Sequence, residues 1–241
     1  MSKTDMLDAF PAVHDQAGIH SCMAFAVCDA VWWECVQRDS GSRGRVFVPS
    51  ALFLYYNARR RSGQERRNIA LTPLDTMAAL GELGVCPEEL WPYRPERYLQ
   101  QPPAEAYITA TSHAGIEFER LRQEEAALKS SLDEGRPFLV CLRLFRSNCW
   151  EFHYGATHKN GRMVIPGDEE YPILNHAMLA VGYDESTAQF RLRNSFGGEW
   201  GDNGHVYVPD SYLLDPRKAY AFSRVKRTSS IACEDALSVP C

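Results

Sequence analysis

Apolar residues recur at helical spacing through the first half of the chain and gather into short runs through the second. The helical spacing predicts helices over residues 21–36, 49–62, 73–84 and 119–134, and these runs close on Gly or Pro. From residue 136 onward, β-type runs at 137–145, 161–166, 176–184, 189–195 and 205–209 are separated by Gly, Asp and Asn turns. Segregated helices and strands predict an α+β protein of two lobes, whose cleft is a natural ligand site.

Composition narrows the function classes. The 241 residues are 45 % hydrophobic and carry a formal net charge of −5, which argues against a nucleic-acid partner. The one dense basic run, residues 59–67, is interpreted as a solvated loop. We expect no membrane partner, since there is no signal peptide and no apolar run long enough to span a bilayer. The expected location is cytoplasmic, and export by a signal-independent route is left open.

Eight cysteines raise the question of metals and disulfides. No C-x-x-C pair occurs, so a local zinc or redox motif is not expected, and neither is a cofactor. Without an export signal, most of these thiols are expected to be reduced core residues.

Three residues stand where chemistry is plausible. Cys22 opens an apolar helical run, and a helix start favours thiolate over thiol, although a buried core cysteine is the ordinary alternative. His176 lies at the front of one predicted strand, and Asn194 lies at the end of another. A cysteine nucleophile needs a histidine to take its proton and an Asn or Asp to orient the imidazole, distant in sequence but adjacent in space.

The segments around these residues resemble the papain-like cysteine peptidases. DQAGIHSCMAFA resembles the family pattern D-Q-G-x-C-G-S-C-W-A-F-A, NHAMLAVGYD resembles G/D-H-A-V-x-A-V-G-Y, and RNSFGGEWGDNGHVYVP resembles K/R-N-S-W-G-x-x-W-G-D-N-G-Y-x-x-x-P. PSALFLYYNAR and GVCPEELWPY are similar to segments of bacterial-type members.

The resemblance runs from about residue 12 to 224 and implies a two-lobed fold. A helical lobe, about residues 12–105, would pack on a β-barrel-like antiparallel lobe, about 106–227, with the active site in the cleft between them. Residues 228–241 would form a C-terminal appendage outside the catalytic domain.

The resemblance also implies roles for individual residues. Cys22 matches the nucleophile, His176 the general base and acid, Asn194 the residue that orients the imidazole, and Gln16 the oxyanion-hole side chain. Substrate-binding positions are expected at Asn175, Phe196, Trp200, Ile69 and Leu71.

Several positions depart from the family pattern. Ala17 replaces Gly, Ile19 replaces the Cys of a common family disulfide, and Met23 replaces Trp. The Gly-rich loop that usually meets the substrate backbone is replaced by RRNIALTPLDTMAAL, which has no glycine. We therefore expect a peptide or protein substrate of restricted choice. A separate inhibitor or carrier protein is also compatible with the resemblance.

Three functions remain open from the sequence. The first is a cysteine peptidase or amidase that acts through a Cys22 acyl-thioester. The second is an acyltransferase or peptide ligase on the same fold, with an amine as second nucleophile. The third is a binding module on a retired peptidase fold, which the joint presence of all four catalytic-type residues disfavours.

Overall fold

The computed structural model describes residues 3–6, 10–38, 48–149 and 160–226. The chain divides into two compact units. The first consists of Met1–Asp15 with Arg120–Arg224, and the second of Gln16–Glu119 with Val225–Cys241. The sequence-based lobe boundary near residue 105 stays a prediction, and the appendage expected at 228–241 lies outside the described residues.

The second unit is helical. Its helices are α1, Cys22–Arg38; α2, Ala51–Arg61; α3, Pro73–Leu83; and α4, Ala104–Ala110, with 3₁₀ turns at Pro95–Arg97 and Thr111–His113. Helix α1 is buried on every side from Cys22 to Val36. This buried stretch is mostly apolar, and it also includes two acidic residues, Asp29 and Glu34.

Local chemistry sets where α2 and α3 begin. The Ser50 hydroxyl accepts the Phe53 backbone N–H, and the Thr72 hydroxyl accepts that of Asp75, so each helix has a side-chain N-cap. Pro73 occupies the first turn of α3, where its missing N–H costs nothing. The predicted helices over 21–36, 49–62 and 73–84 are therefore confirmed within two residues.

The first unit is built on an antiparallel sheet. The strands are β1, Lys3–Asp5; β2, Phe118–Arg120; β3, Phe138–Phe145; β4, Pro172–Asp184; β5, Gln189–Arg193; β6, His205–Pro209; and β7, Ala219–Val225. Helices α5, Glu125–Asp133, and α6, Asp210–Leu213, accompany them. The strand order is β2-β7-β3-β4-β5-β6, and the sheet is open, with β6 at one edge and the short β2 at the other. The predicted α+β class is confirmed, but the sheet does not close, so "barrel-like" describes it only loosely.

Strand β4 organises this sheet. It pairs with β3 in the register Leu142 to His176 and with β5 in the register Leu179 to Arg193. Strand β1 also pairs with it, antiparallel, and a Cβ on Gly182 would stand 2.4 Å from the carbonyl oxygen of Thr4. Only glycine leaves room for this close approach, which explains the Gly in the VGYD segment.

Other sequence expectations were wrong. The helix expected over 119–134 begins only at Glu125, after β2. The run 161–166 is not a strand; Arg162 makes an isolated bridge to Tyr207. Strand β7 was missed because its alternation is weak: AYAFSRV mixes small and polar residues.

The basic run 59–67 is not uniformly solvated. Arg59 is fully buried, whereas Arg60, Arg61, Arg66 and Arg67 are exposed. The guanidinium of Arg59 donates to the backbone carbonyls of Tyr55, Glu65, Arg67 and Tyr98. The solvated-loop interpretation is therefore wrong for this one arginine, whose helical spacing from Tyr55 places it on the buried face of α2.

The cysteines of the described segments are buried thiols that form no disulfide: Cys22, Cys28, Cys35, Cys86, Cys141 and Cys149. Burial raises the pKa of the Cys28 thiol, and it raises that of Cys86 to about 12. These two thiols are therefore poor nucleophiles at neutral pH. In the same part of the chain, every helix falls short of the length and apolar character that a bilayer crossing requires.

The lowered pKa of His205 predicts that the protein becomes less stable in acid. Burial, and then the charges of Arg193 and Arg191, lower the pKa of its imidazole to about 4. Unfolded His205 would bind a proton near pH 6.5, so the free energy of unfolding decreases as pH falls from about 6.5 toward 4, by about 3 kcal/mol at most. Urea unfolding across pH 4–7.5 should show this slope in the native protein and a shallower one in His205→Phe. Equal slopes in the two proteins would contradict the assignment.

Candidate active site

The first unit brings His176 and Asn194 together. His176 lies in β4, Asn194 directly follows β5, and the two strands are neighbours in the sheet. The His176 Nε2 and Asn194 Oδ1 atoms are 2.7 Å apart, and both side chains are buried. Residues 18 apart in sequence are thus hydrogen-bonded because adjacent strands present them at the same end.

A backbone donor fixes the orientation of this pair. Asn194 Oδ1 also accepts the backbone N–H of Ser195 at 2.8 Å, and a backbone nitrogen can only donate. The amide atom facing His176 is therefore oxygen, so Nε2 carries the ring proton. In the neutral imidazole, Nδ1 is then the nitrogen that can accept a proton.

An aromatic ring packs against His176. The Phe196 ring lies 4.9 Å from the His176 ring, centroid to centroid, and meets Trp200 edge-on at 5.9 Å. An apolar ring on this side limits competition from water for the hydrogen bond. Of the two aromatic positions that the sequence singled out, Phe196 thus lies beside the predicted histidine, and Trp200 packs on Phe196.

The turn after β5 is held in place from two directions. The Asn194 N–H donates to the Gly204 carbonyl, and the Gly197 N–H donates to that of His14. Gly204 has φ +81°, and a Cβ there would stand 2.5 Å from Val13. A side chain at this position would be strained and would push against residues that support Asn194.

The second unit brings Gln16 and Cys22 to either end of one short loop. Cys22 is the first residue of α1 and is 8 % exposed. The Gln16 amide nitrogen donates to the Ile19 carbonyl at 2.7 Å, and this bond uses one of its two hydrogens. We name residues 16–21 the Gln16 loop.

Tyr93 supports the Gln16 loop at its first and last residues, Gln16 and Ser21. Its hydroxyl donates to the Gln16 carbonyl at 2.9 Å and lies 2.7 Å from the Ser21 hydroxyl. The Glu88 carboxylate in turn accepts the Tyr93 backbone N–H, and burial raises the pKa of this carboxyl to about 7. A group that titrates near neutrality thus anchors the residue that supports the loop.

Ala17 adopts a backbone conformation that favours glycine. Its φ is +50°, in the left-handed region, and it is exposed. The family pattern has Gly here, so the substitution noted in the sequence has a structural cost of about 1 kcal/mol.

The predicted substrate-binding residues fall in both units. Asn175 is exposed on β4 next to His176. Ile69 and Leu71 are half-buried in the segment between α2 and α3, and the Ile69 carbonyl accepts the Tyr55 hydroxyl at 3.0 Å.

Sequence reasoning missed Asn68, which contacts the Gln16 loop. The Asn68 amide donates to the Gly18 carbonyl, and its oxygen accepts the His20 N–H, each at 3.0 Å. The only available signal was the place of Asn68 inside RRNIALTPLDTMAAL, directly before Ile69.

Comparisons with known proteins show which family the sequence resembles. A family model described as papain family cysteine protease matches residues 73–212. A peptidase C1-like protein of Acanthamoeba polyphaga mimivirus is 28 % identical over 216 residues, which cover 86 % of this chain and 67 % of that protein.

Solved structures give the same picture. Xylellain, a cysteine protease from Xylella fastidiosa, matches with a TM-score of 0.83 and 29 % identity, covering 94 % of this chain and 86 % of that one. Digestive procathepsin L 3 of Tenebrio molitor larval midgut matches with a TM-score of 0.69 and 19 % identity, covering 93 % and 69 %, which supports the fold alone.

Ala17→Gly is expected to stabilise the protein. Glycine removes the left-handed strain but adds freedom to the unfolded chain, so the net gain should be about 0.5–1 kcal/mol. Ala70→Gly is the matched control, because Ala70 is also an exposed loop alanine but lies outside the left-handed region. Urea unfolding should show a gain for the first variant and a loss for the second. A loss of stability in both would refute the strain argument.

Proposed function

The chain belongs to the papain family of cysteine proteases, and we propose that it hydrolyses a peptide or amide bond through an acyl-thioester on Cys22. We assign the catalytic roles to four residues: Cys22, His176, Asn194 and Gln16. We also propose that the enzyme accepts only a restricted set of substrates. The hydrogen bond from His176 Nε2 to Asn194 Oδ1 is the observation that carries it.

The His176–Asn194 pair supports a proton-transfer role. With the proton held on Nε2, the neutral ring has Nδ1 as its basic nitrogen, which is the tautomer that a general base requires. Asn194 is itself held by the Ser195 N–H and by the Gly204 carbonyl, so the imidazole orientation rests on backbone atoms. We therefore assign the base and later acid to His176 and the orienting role to Asn194.

The start of α1 supports Cys22 as the nucleophile. The helix has 17 residues and no acidic side chain in its first turn, so its positive end is not offset there by a carboxylate. A thiolate at this position is stabilised by the helix N–H groups, unlike the buried thiols of Cys28 and Cys86, whose pKa is raised.

The Gln16 loop supports an oxyanion hole. One amide hydrogen of Gln16 fixes the side chain to the Ile19 carbonyl, and in our assignment the other donates to the oxyanion of the tetrahedral intermediate. The backbone N–H of Cys22 is the second donor. Such donors need to be set before the reaction begins, because reorganising them would cost part of the stabilisation they supply.

The proposed chemistry has two stages. The Cys22 thiolate attacks the carbonyl carbon, the C–N bond breaks, and protonated His176 gives its proton to the leaving amine. Water then attacks the thioester as His176 takes its proton, the C–S bond breaks, and the acid product leaves with the thiolate restored.

The segment between α2 and α3 supports restricted substrate choice. Ile69 and Leu71 project side chains where the family pattern has glycine, and the Ile69 carbonyl is hydrogen-bonded to Tyr55. A backbone engaged in this way and flanked by branched side chains is a poor partner for an added substrate strand. Recognition would then depend on side-chain pockets.

Variants of the four assigned residues test the catalytic roles. Cys22→Ala should abolish turnover, and His176→Ala should lower kcat by about 10²–10⁴ because proton transfer is lost. Gln16→Ala should lower kcat by about 10²–10³ with little change in KM, since the oxyanion forms only along the reaction path. Asn194→Ala should lose less than His176→Ala. The measurement is steady-state kinetics with product masses, which also distinguish hydrolysis from ligation.

Cys35→Ala is the matched control, because Cys35 lies in the same helix and is fully buried. It should lower the melting temperature and leave the kcat of the folded enzyme unchanged. Brief alkylation at pH 6 followed by peptide mapping should label Cys22 ahead of the five other described thiols. Turnover by folded Cys22→Ala would overturn the assignment.

Generic peptides should be poor substrates. We expect kcat/KM on dipeptidyl fluorogenic amides to lie below the ~10⁴ M⁻¹s⁻¹ at the low end of the usual range for enzymes. Ile69→Ala should raise kcat/KM several-fold on these amides, because removing the branched side chain lets the substrate backbone approach.

Ile108→Ala is the matched control, since Ile108 is 73 % exposed on α4. Its kinetics should be those of the native enzyme. Efficient cleavage of generic amides by the native enzyme, or no difference between the two isoleucine variants, would mean that the segment does not restrict the substrate.

A further inference from the structure

The Gln16 loop carries one proposed oxyanion donor, Gln16, and leads directly into the other, the Cys22 N–H, yet it is exposed over much of its length. Ala17, Gly18 and His20 are exposed, while Gln16, Ile19 and Ser21 are buried. Hydrophobic packing alone therefore leaves the middle of the loop unsupported, and polar contacts have to hold it.

Asn68 makes those contacts with both the nitrogen and the oxygen of its side-chain amide. Its nitrogen donates to the Gly18 carbonyl, and its oxygen accepts the His20 N–H, with each bond 3.0 Å long. One side chain thereby pairs with the backbone on either side of Ile19. A carboxylate could not replace the amide here, since it lacks the donor.

Tyr55 fixes Asn68 in turn. Its hydroxyl lies 2.8 Å from Asn68 Oδ1 and 3.0 Å from the Ile69 carbonyl, so its one proton is shared between these two acceptors. Burial raises the pKa of this phenol to about 12, so the hydroxyl keeps its proton under any working condition. The acceptor atom of Asn68 thus receives two donors, the Tyr55 hydroxyl and the His20 N–H.

Arg59 fixes the segment that leads to Asn68. Its guanidinium donates to the carbonyls of Glu65 at 3.0 Å and Arg67 at 2.6 Å and stacks 4.0 Å from the Tyr55 ring centroid. A fully buried cation in contact with Tyr55 and the 65–67 backbone leaves Asn68 little freedom to move.

We propose that Asn68 is a positioning residue for the oxyanion hole, held in place by Tyr55 and Arg59. It presets the Gln16 loop, so that Gln16 and the Cys22 N–H are aligned before substrate arrives. This inference rests on the proposed function, since it needs Gln16 and Cys22 in the roles assigned above. Displacement of a catalytic group by about 1 Å can cost about 10²-fold in rate, so a single support can matter this much.

Three variants test the proposal. Asn68→Ala removes both loop bonds, Asn68→Asp keeps the acceptor but sets a carboxylate oxygen against the Gly18 carbonyl, and Tyr55→Phe removes only the hydroxyl behind Asn68. We expect kcat to fall by about 10- to 100-fold in both Asn68 variants, which is below the loss for deleting a donor outright, with KM nearly unchanged. Tyr55→Phe should fall less.

Gln64→Ala is the matched control. Gln64 has an amide in the same surface segment, and that amide accepts from Arg67. Its kcat should equal that of the native enzyme. Melting temperatures identify any variant that fails to fold, and the Asp and Phe variants keep the test open if Asn68→Ala does not fold.

Two further measurements separate positioning from a purely structural role. Alkylation of Cys22 by iodoacetamide forms no oxyanion, so its rate should be native in folded Asn68→Ala, whereas affinity for a peptide aldehyde, which binds as an oxyanion-bearing adduct, should drop with kcat. In a Gln16→Ala background, Asn68→Ala should cost much less than it does alone, because the two act through one loop.

The outcomes are distinct for the inference and for its premise. Native kcat in folded Asn68→Ala and Asn68→Asp, or full additivity with Gln16→Ala, would overturn the inference even if Cys22→Ala is inactive. Slower alkylation in step with kcat would also overturn it, since the defect would then lie in the thiolate. Turnover by Cys22→Ala would instead remove the proposed function on which the inference rests.

Discussion

The burial of α1 from Cys22 to Val36 is the constraint on which the second unit depends. A helix that is buried on every face cannot slide or rotate without exposing large side chains, so its first residue, Cys22, is fixed by packing. The preceding loop has no comparable core, because several of its residues are exposed. The fold meets this difference with polar contacts from Tyr93 and Asn68. Hydrophobic packing thus fixes the position of the Cys22 thiol, and hydrogen bonds fix the position of the Gln16 loop that precedes it.

In the first unit, the positions of the functional side chains are fixed by the sheet instead. There the sheet register brings His176 and Asn194 to one end of neighbouring strands, and the Ser195 N–H selects which atom of the Asn194 amide faces the ring. A side chain that could flip is thereby held in one state by an atom that cannot change its role. The tautomer of the histidine thus follows from backbone geometry.

Much of this could be predicted from the sequence. The helices near 21–36, 49–62 and 73–84 follow from strong periodicity, and the His176–Asn194 pair could be anticipated because both residues lie in distinctive motifs. The bond between Asn68 and Gly18 could not, since it joins residues 50 apart in the chain and neither has a pattern of its own. Arg59 misled for a related reason: its neighbours 60, 61, 66 and 67 are solvated, and only the position of Tyr55 one turn earlier hints that it is not. Local periodicity reports which face of an element is buried, but it does not report polar contacts between distant segments.

The partners of Arg59 also decide how the protein responds to its medium. The guanidinium is hydrogen-bonded to main-chain carbonyls, whose dipoles do not titrate, and Arg59 itself is buried, where dissolved ions screen weakly. A support made of a surface ion pair, such as that between Arg61 and Glu82, loosens in concentrated salt or in acid. The connection from Arg59 through Tyr55 to the Gln16 loop is built from groups that respond little to either concentrated salt or acid. The geometry of the loop is therefore decoupled from ionic strength, so a salt effect on turnover would report on the substrate rather than on the alignment of the enzyme.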